Sequence, residues 1–588
     1  MESQPRIGVY ICHCGVNIAA TVDVEQVTEF AATLPGVAVA RHYLYMCSDP
    51  GQGLIQQDIQ ELDLDGVVVA SCSPRMHEPT FRGAAQQVGM NPYCLEMANI
   101  REQCSWVHSD RGAATEKAKW LVASVVAKAA LLEPLESREV EVTPGAVVVG
   151  GGVAGMLAAL DVADAGFPVY LVEKSDRLGG RVVDLNRTFP TLEAVPELLK
   201  PLIERVQAHP DITVLLNAQV TDVEGYVGNF SVTIGKLVDG ETGKLAEDAS
   251  ADQSTNLLIY QSADVGSIII ATGYDVFDPH RKPELGYGQY PNVITSLEME
   301  RRLAEGDLTV GGRSPKSVAF IQCVGSRDVQ LGNEYCSRVC CMYTAKQSCL
   351  VKDLLPGADV TVFYIDVRTF GKGAEEFYDD ARAKGVCYRK ANISEIYRKR
   401  GNGRDRVVLV GEDTLLGQPI DFEVDMVVLA VGMEPRSDVA DISTLLKLPR
   451  SADGFFLELH PKLRPVDTAV DGVFLAGCCQ GPKDIPDTVA QAKAAASSAL
   501  IPLLRGVVPV ISETAIVDSE LCAGCGMCVE VCPYGAPGLD LLWGVSRINA
   551  VLCKGCGACA VTCPSKAIRL QQFTPEQILA QVDALVGV

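Results

Sequence analysis

Residues 146–155 read Ala146-Val147-Val148-Val149-Gly150-Gly151-Gly152-Val153-Ala154-Gly155, an apolar run that ends in a glycine-rich turn. An Ala/Leu-rich stretch follows, and then a second apolar run, Val169-Tyr170-Leu171-Val172, closing on Glu173 and Lys174. Strand, turn, helix, strand and acid fall in the order of a dinucleotide-binding unit. Gly150 permits the tight turn, Gly152 lets a pyrophosphate approach the backbone, and Gly155 permits close packing of helix on strand. Val153 and Ala154 open the helix whose positive N-terminus faces the phosphates. Glu173 stands where an acid reaches a ribose hydroxyl, with Lys174 beside it.

Working outward, the C-terminal region carries Cys522-x2-Cys525-x2-Cys528-x3-Cys532-Pro533 and Cys553-x2-Cys556-x2-Cys559-x3-Cys563-Pro564. This is the spacing of bacterial two-cluster ferredoxins, in which the fourth cysteine of each run ligates the other cluster. One [4Fe-4S] cluster is therefore expected on Cys522, Cys525, Cys528 and Cys563, and the other on Cys553, Cys556, Cys559 and Cys532. Zinc ribbons also use Cys-x2-Cys, but they do not need two copies of one four-cysteine run. Cubanes carry electrons one at a time.

A chain of 588 residues, 48% hydrophobic, is long enough for three to five domains with buried cores. The net charge of −23 argues against nucleic acid, since phosphate binding needs clustered Lys and Arg. The longest apolar stretch, residues 120–132, contains Lys128 and is too short to cross a bilayer. No export signal is evident at the start, and most of the 22 cysteines fall in ligand-like groups rather than in a disulfide pattern. A reducing, cytoplasmic setting is the reading.

Further segments choose the cofactor. Leu178-Gly179-Gly180-Arg181, then Ile268-Ile269-Ile270-Ala271-Thr272-Gly273, then Asp471-Gly472-Val473-Phe474-Leu475-Ala476-Gly477 resemble the flavin motifs of the two-dinucleotide-domain flavoproteins that include thioredoxin reductase. The resemblance implies FAD. It departs at Cys478-Cys479, where that family usually has an Asp on the ribityl chain; a helix starting near Asp487 and Thr488 is expected to point its N-terminus at the flavin. In the second, inserted domain the strand of residues 317–322 runs into Cys323-Val324-Gly325-Ser326-Arg327, without the triple-glycine turn that binds NADPH. Cys336, Cys340 and Cys341 follow, and four thiolates at a strand end and the next helix start suit one cubane.

At these residues the chain resembles the A-type subunits of heterodisulfide reductase, and the resemblance extends through Gly477-Cys478-Cys479-Gln480-Gly481-Pro482-Lys483-Asp484-Ile485-Pro486-Asp487 to the terminal ferredoxin. It implies that Cys323, Cys336, Cys340 and Cys341 hold a cluster close to the flavin. It also implies that Lys346 and Lys483 lie near the isoalloxazine ring, where a cation shifts the flavin potentials. Its implied partners are B- and C-type heterodisulfide reductase subunits, a hydrogenase or dehydrogenase electron-input module, and ferredoxin; a homodimer within a larger complex is compatible with it. The implied activity is electron transfer with flavin-based bifurcation or confurcation between a two-electron donor, ferredoxin and a high-potential disulfide-type acceptor.

The N-terminal region reads as a separate α/β domain with strands at residues 7–11, 39–45 and 66–70. Cysteine follows each: Cys12 and Cys14, Cys47, and Cys72. A parallel sheet gathers its C-terminal strand ends on one edge, which brings these four thiols together. The family resemblance implies a cluster here too, with Cys94 and Cys104 as competing ligands. One departure stands out: methanogen relatives carry an extra two-cluster ferredoxin in the flavin domain, whereas no cysteine lies between Cys104 and Cys323. A non-bifurcating conduit and a self-contained NAD(P)H:ferredoxin-type oxidoreductase are the alternative functions.

The expected fold is therefore α/β. An N-terminal domain (1–138) precedes an FAD domain in two parts (139–310 and 426–510), split by an inserted, degenerate NAD(P)H-type domain (311–425). An α+β ferredoxin with a C-terminal helix (511–588) completes the chain.

Overall fold

Short, wholly apolar runs separated by helices favour parallel sheets covered on both faces. The computed structural model, which describes residues 5–136, 138–239, 255–401, 404–510 and 512–587, is built on such sheets. The chain forms two compact units, residues 140–508 and residues 1–139 with 509–588.

In the unit of residues 140–508, five parallel strands lie in the order Val473–Leu475, Ser267–Ile270, Ala146–Val149, Val169–Val172, Ile212–Leu215. Alternate residues face opposite layers. Ala146, Val148, Leu171 and Ile269 pack under helices Val153–Asp164 and Ile485–Arg505. Val147, Val172, Ile268 and Ile270 instead meet Phe230, Val232 and Ile234 of a three-stranded antiparallel sheet. The two helices meet through alanines, among them Ala158, Ala159, Ala492, Ala495 and Ala496, whose small side chains let the backbones come close.

The second sheet of this unit runs Val293–Thr295, Met426–Val431, Ser317–Val324, Asp359–Tyr364 and Val386–Gly401 in parallel. Two antiparallel strands, Arg404–Asp413 and Gln418–Val424, extend it. Helix Cys340–Leu354 packs against the strand Ser317–Val324.

In the other unit, four parallel strands lie in the order Val37–Tyr43, Ile7–Cys12, Gly66–Ser71, Leu95–Asn99. The last, Leu-Glu-Met-Ala-Asn, was not expected from sequence. The apolar stretch at 120–132 falls mostly in helix Arg111–Ala129, which buries Val122, Val125 and Val126 in the core under this sheet. No helix among the described residues is long and apolar enough to cross a membrane. The ferredoxin region consists of two antiparallel ribbons, Ala515–Val517 with Ile568–Leu570 and Pro537–Asp540 with Val545–Ile548, and two short helices, Met527–Val531 and Ala558–Thr562. Both helices start after a left-handed glycine, Gly526 at φ 76° and Gly557 at φ 80°, a conformation that L side chains resist.

Polar contacts join the two parts of this unit. Arg82 pairs with Glu513 at 2.7 Å, Gln577 Nε2 donates to the Leu131 carbonyl at 2.7 Å, and Lys128 Nζ lies 3.8 Å from the Phe573 ring centroid. Helix Pro575–Val586 packs along helix Arg111–Ala129.

Candidate functional site

A cavity of about 850 Å³ opens in the unit of residues 140–508, within the range of cofactor sites. The turn after the strand Ala146–Val149 forms one wall. A Cβ on Gly150 (φ +113°) would lie 2.3 Å from the Ala271 carbonyl oxygen, and one on Gly155 only 1.8 Å from the Gly150 oxygen. At Gly152 the nearest atom to such a Cβ is the Gly180 Cα at 3.9 Å, so the cradle is open where a pyrophosphate would lie. Glu173 braces the turn: Oε2 accepts from the Gly151 N–H at 2.6 Å, and Oε1 from the Ser175 N–H and Oγ at 2.8 and 2.7 Å.

Of the residues singled out from sequence, Gly150, Gly152, Val153, Ala154, Glu173, Lys174, Gly180, Arg181, Ala271, Thr272, Gly273, Cys478 and Thr488 line this cavity. Three stand outside its lining. Gly155 lies beneath the turn; Gly477 donates its N–H to Gln491 Oε1 at 2.8 Å; and Asp487 is paired with Arg338 at 2.7 Å. The helix here starts at Ile485 rather than Asp487, capped by Asp484, which accepts from the Asp487 N–H at 2.8 Å. An Asp followed two residues later by proline was the available signal.

Both lysines line the cavity. Lys346 is buried, its Nζ 2.6 Å from Glu300 Oε1 and 2.8 Å from the Arg187 carbonyl oxygen. Burial pushes its pKa down against the pull of Glu300. Glu300 also accepts from Gln347 Nε2 at 2.6 Å and the Asn186 N–H at 3.0 Å. Lys483 donates to Gln480 Oε1 at 2.6 Å, and burial lowers its pKa as well.

None of the four central cysteines lines this cavity, but Val339 and Tyr343, which flank Cys340 to Met342 in sequence, do. Cys323, left-handed at φ 61°, sits near the end of the strand Ser317–Val324, and Cys340 and Cys341 open the helix Cys340–Leu354. Burial raises the Cys323 thiol to about 11, Cys340 well above its usual value, and Cys341 upward; each also feels other cysteines of the set as like charges. The neighbouring buried donors Gln322 Nε2 and Arg327 Nη1 and the Ser326 hydroxyl have no hydrogen-bond partner. Donors left over beside four thiolates suit an anionic cluster. On the same helix Tyr343 lines the cavity, its hydroxyl donating to the Val431 carbonyl at 2.8 Å and its surroundings including Cys340 and Cys323. Replacing Cys340 by alanine is expected to remove the iron of one cluster while FAD content stays, read by iron and flavin analysis; lost FAD with unchanged iron would contradict this ligand set.

The degenerate turn has a steric counterpart. The ring of Phe277 lies over Gly325, where an added Cβ would come 2.0 Å from the Phe277 Cγ.

In the N-terminal sheet the four strand-end thiols face one another electrostatically. Burial raises Cys12, with like charge from Cys14 and Cys47, and raises Cys72 to about 11, with Cys14 and Cys12 adding to it. Cys12 Sγ accepts the N–H groups of Cys14 and Met46 at 3.3 and 3.4 Å, the kind of donors a cluster thiolate needs. Cys104 points elsewhere, donating to the Ala114 carbonyl at 3.0 Å, and the charged neighbour felt by Cys94 is Asp65.

In the ferredoxin region Cys559 is raised by burial and by Cys553, Cys532 and Cys556, the remaining three of one expected ligand set. Cys522 Sγ accepts from the Ser546 N–H at 3.3 Å and Cys528 Sγ lies 3.2 Å from Ser546 Oγ. Burial pushes the Cys563 thiol up, but Ser565 and the Ala567 and Ile568 N–H groups outweigh it and hold it down. Among the described residues no three Cys, His, Asp or Glu side chains converge to hold a single metal ion; a cubane spreads its thiolates further apart.

Residues 145–499 match the pyridine nucleotide-disulphide oxidoreductase family, and residues 521–568 the 4Fe-4S dicluster domain. The fold and the two sets of motifs define an iron–sulfur flavoprotein oxidoreductase. The chain is 48% identical to one of the A-type iron–sulfur subunits of CoB–CoM heterodisulfide reductase from Methanopyrus kandleri, covering 91% of each chain. It is 46% identical to the A-type subunit of the H(2):CoB-CoM heterodisulfide,ferredoxin reductase of Methanothermobacter marburgensis, over 99% of this chain and 98% of the relative. It belongs to the family of heterodisulfide reductase A-type subunits. A solved structure with a similar core is thioredoxin reductase from T. acidophilum, at 19% identity and TM-score 0.40, covering 62% of this chain and 99% of that one.

Proposed function

We propose that this chain is the electron-distributing subunit of a heterodisulfide-reductase-like complex, holding FAD in the large cavity and [4Fe-4S] clusters on the central, N-terminal and ferredoxin cysteines. The observation that carries the reading is the helix Cys340–Leu354. Its first turn supplies Cys340 and Cys341, and the following turns supply Tyr343, Lys346 and Gln347 to the cavity wall. A flavin exchanges electrons singly or in pairs and a cubane only singly, so a flavin beside a cubane is where paired electrons are divided.

The residues of the chain position and bias that exchange. Gly150, Gly152 and the N-terminus of helix Val153–Asp164 receive the pyrophosphate, and Glu173 the ribose. Lys483 brings positive charge into a partly desolvated wall, where it favours an anionic reduced ring, while the charge of Lys346 is balanced by Glu300. Relatives named as heterodisulfide,ferredoxin reductases support a reading as bifurcation between ferredoxin and a disulfide-type acceptor. Their names also point to a hydrogen- or formate-oxidising module as the electron source.

A non-bifurcating conduit is the second reading. The cysteine-free stretch between Cys104 and Cys323 favours it, and the alignment with the M. marburgensis relative spans 649 positions, more than the 588 residues of this chain. Anaerobic stepwise reduction of the purified chain, followed by visible absorbance and the EPR radical signal, separates the two. Bifurcation expects no accumulating flavin radical, because its one-electron potentials must be crossed. A radical that builds up assigns the conduit role.

A further inference from the structure

Arg101 follows the strand Leu95–Asn99 on the edge of the N-terminal sheet where Cys12, Cys14, Cys47 and Cys72 gather. Its backbone N–H donates to Asn99 Oδ1 at 3.2 Å, pinning the loop. The side chain is only 12% exposed. Nη1 donates to Cys14 Sγ at 3.2 Å and Nη2 meets Met76 Sδ at 3.3 Å. Nε and Nη2 donate to Glu102 Oε1 at 3.2 and 2.7 Å, and the guanidinium carbon lies 4.7 Å from the centroid of the Trp106 ring. The positive charge is felt beyond Cys14, since it works against the burial that raises Cys47 and Cys72. Glu102 acts in the opposite sense on Cys72, and its Oε2 is buried without a partner. A cation and an anion joined to each other therefore act in opposite senses on Cys72.

We propose that Arg101 and Glu102 form a charge pair that sets the reduction potential of the N-terminal cluster, Arg101 holding it up and Glu102 limiting the rise. The inference rests on Cys12, Cys14, Cys47 and Cys72 holding that cluster. Reduction adds one electron from another one-electron centre of the chain, makes and breaks no bond, and leaves the guanidinium charge unchanged. The added negative charge is stabilised by a nearby cation and opposed by a nearby carboxylate, more strongly in a partly buried site than in water. Cluster potentials respond to such local charge and to hydrogen bonds on the sulfurs. Arg101 combines both through its contact with Cys14.

The test is an anaerobic redox titration of the full-length chain followed by EPR, with the N-terminal signal identified as the one that disappears, with its iron, in Cys47→Ala and Cys72→Ala. Arg101→Gln is expected to lower the reduced-to-oxidised ratio at the wild-type midpoint about tenfold, a shift of about 59 mV for one electron. Glu102→Gln shifts the midpoint the opposite way, and Arg101→Lys, which keeps the charge, stays close to wild type. A contact that is merely structural does not give shifts of opposite sign. If Arg101→Gln loses the cluster, the upward shift in Glu102→Gln carries the test. Unmoved midpoints, or shifts of one sign in both variants, overturn the charge pair. Unchanged iron in Cys47→Ala and Cys72→Ala overturns instead the ligand assignment beneath it.

Discussion

Replacing Glu300 by alanine is expected to cost about 3–5 kcal/mol of stability, the usual consequence of leaving one member of a buried ion pair unpaired. Glu300 and Lys346 are almost wholly removed from solvent, with side-chain exposures of 1% and 2%, and meet at 2.6 Å. Without the carboxylate, the Lys346 ammonium keeps only the Arg187 carbonyl, and the Asn186 N–H loses its acceptor. The Gln347 amide retains the Ser296 carbonyl. The Lys346→Met/Glu300→Met double variant should recover a large part of the loss, because no charge is left uncompensated. Denaturant unfolding of the full chain, with flavin release as the signal for this unit, measures both. A double variant no more stable than Glu300→Ala would mean that an uncompensated buried charge is not the source of the loss.

The second large effect is at Gly155. The hydrogen there occupies the space of a Cβ that would stand 1.8 Å from the Gly150 carbonyl oxygen and 3.3 Å from Val148 Cγ1. Neither obstacle is the end of a flexible side chain that swings aside, so in Gly155→Ala the helix Val153–Asp164 must move off the turn. Overpacking of this kind costs about 3 kcal/mol, and as the displaced helix end is the phosphate cradle, FAD affinity is expected to fall roughly a hundredfold. Flavin content and fluorescence titration of the FAD-free chain give the number. Gly357→Ala, where an added methyl meets nothing within 4 Å, is the control and should bind as wild type. A Gly155→Ala variant purified with full FAD and unchanged affinity would show that the turn adapts and is not a steric lock.

The turn was legible in sequence because each glycine answers a local steric demand. The ferredoxin cysteines were legible because spacing of a few residues sets how one loop wraps a cluster. Relations that span the chain were not. Glu300 and Lys346 are separated by 46 positions and share no local pattern, so nothing in the sequence named Glu300 as the partner. Asp487 carries a residue type suited to a flavin motif, but Arg338 takes its carboxylate from across the fold. The strand Leu95–Asn99 escaped notice because Glu96 and Asn99 interrupt its apolar character, and pairing with Gly66–Ser71 decides it. Arg101 carried no motif; only the folded sheet edge places its charge on Cys14.

The helix Cys340–Leu354 has a mechanical consequence. Cys340 and Lys346 are six residues apart on one element, a rise of about 9 Å. Most of that element is buried, from Cys340 to Val351. In the proposed arrangement Cys340 and Lys346 would stand at two points of a single clamped strut, so their spacing would be indifferent to hinge motion elsewhere in the molecule.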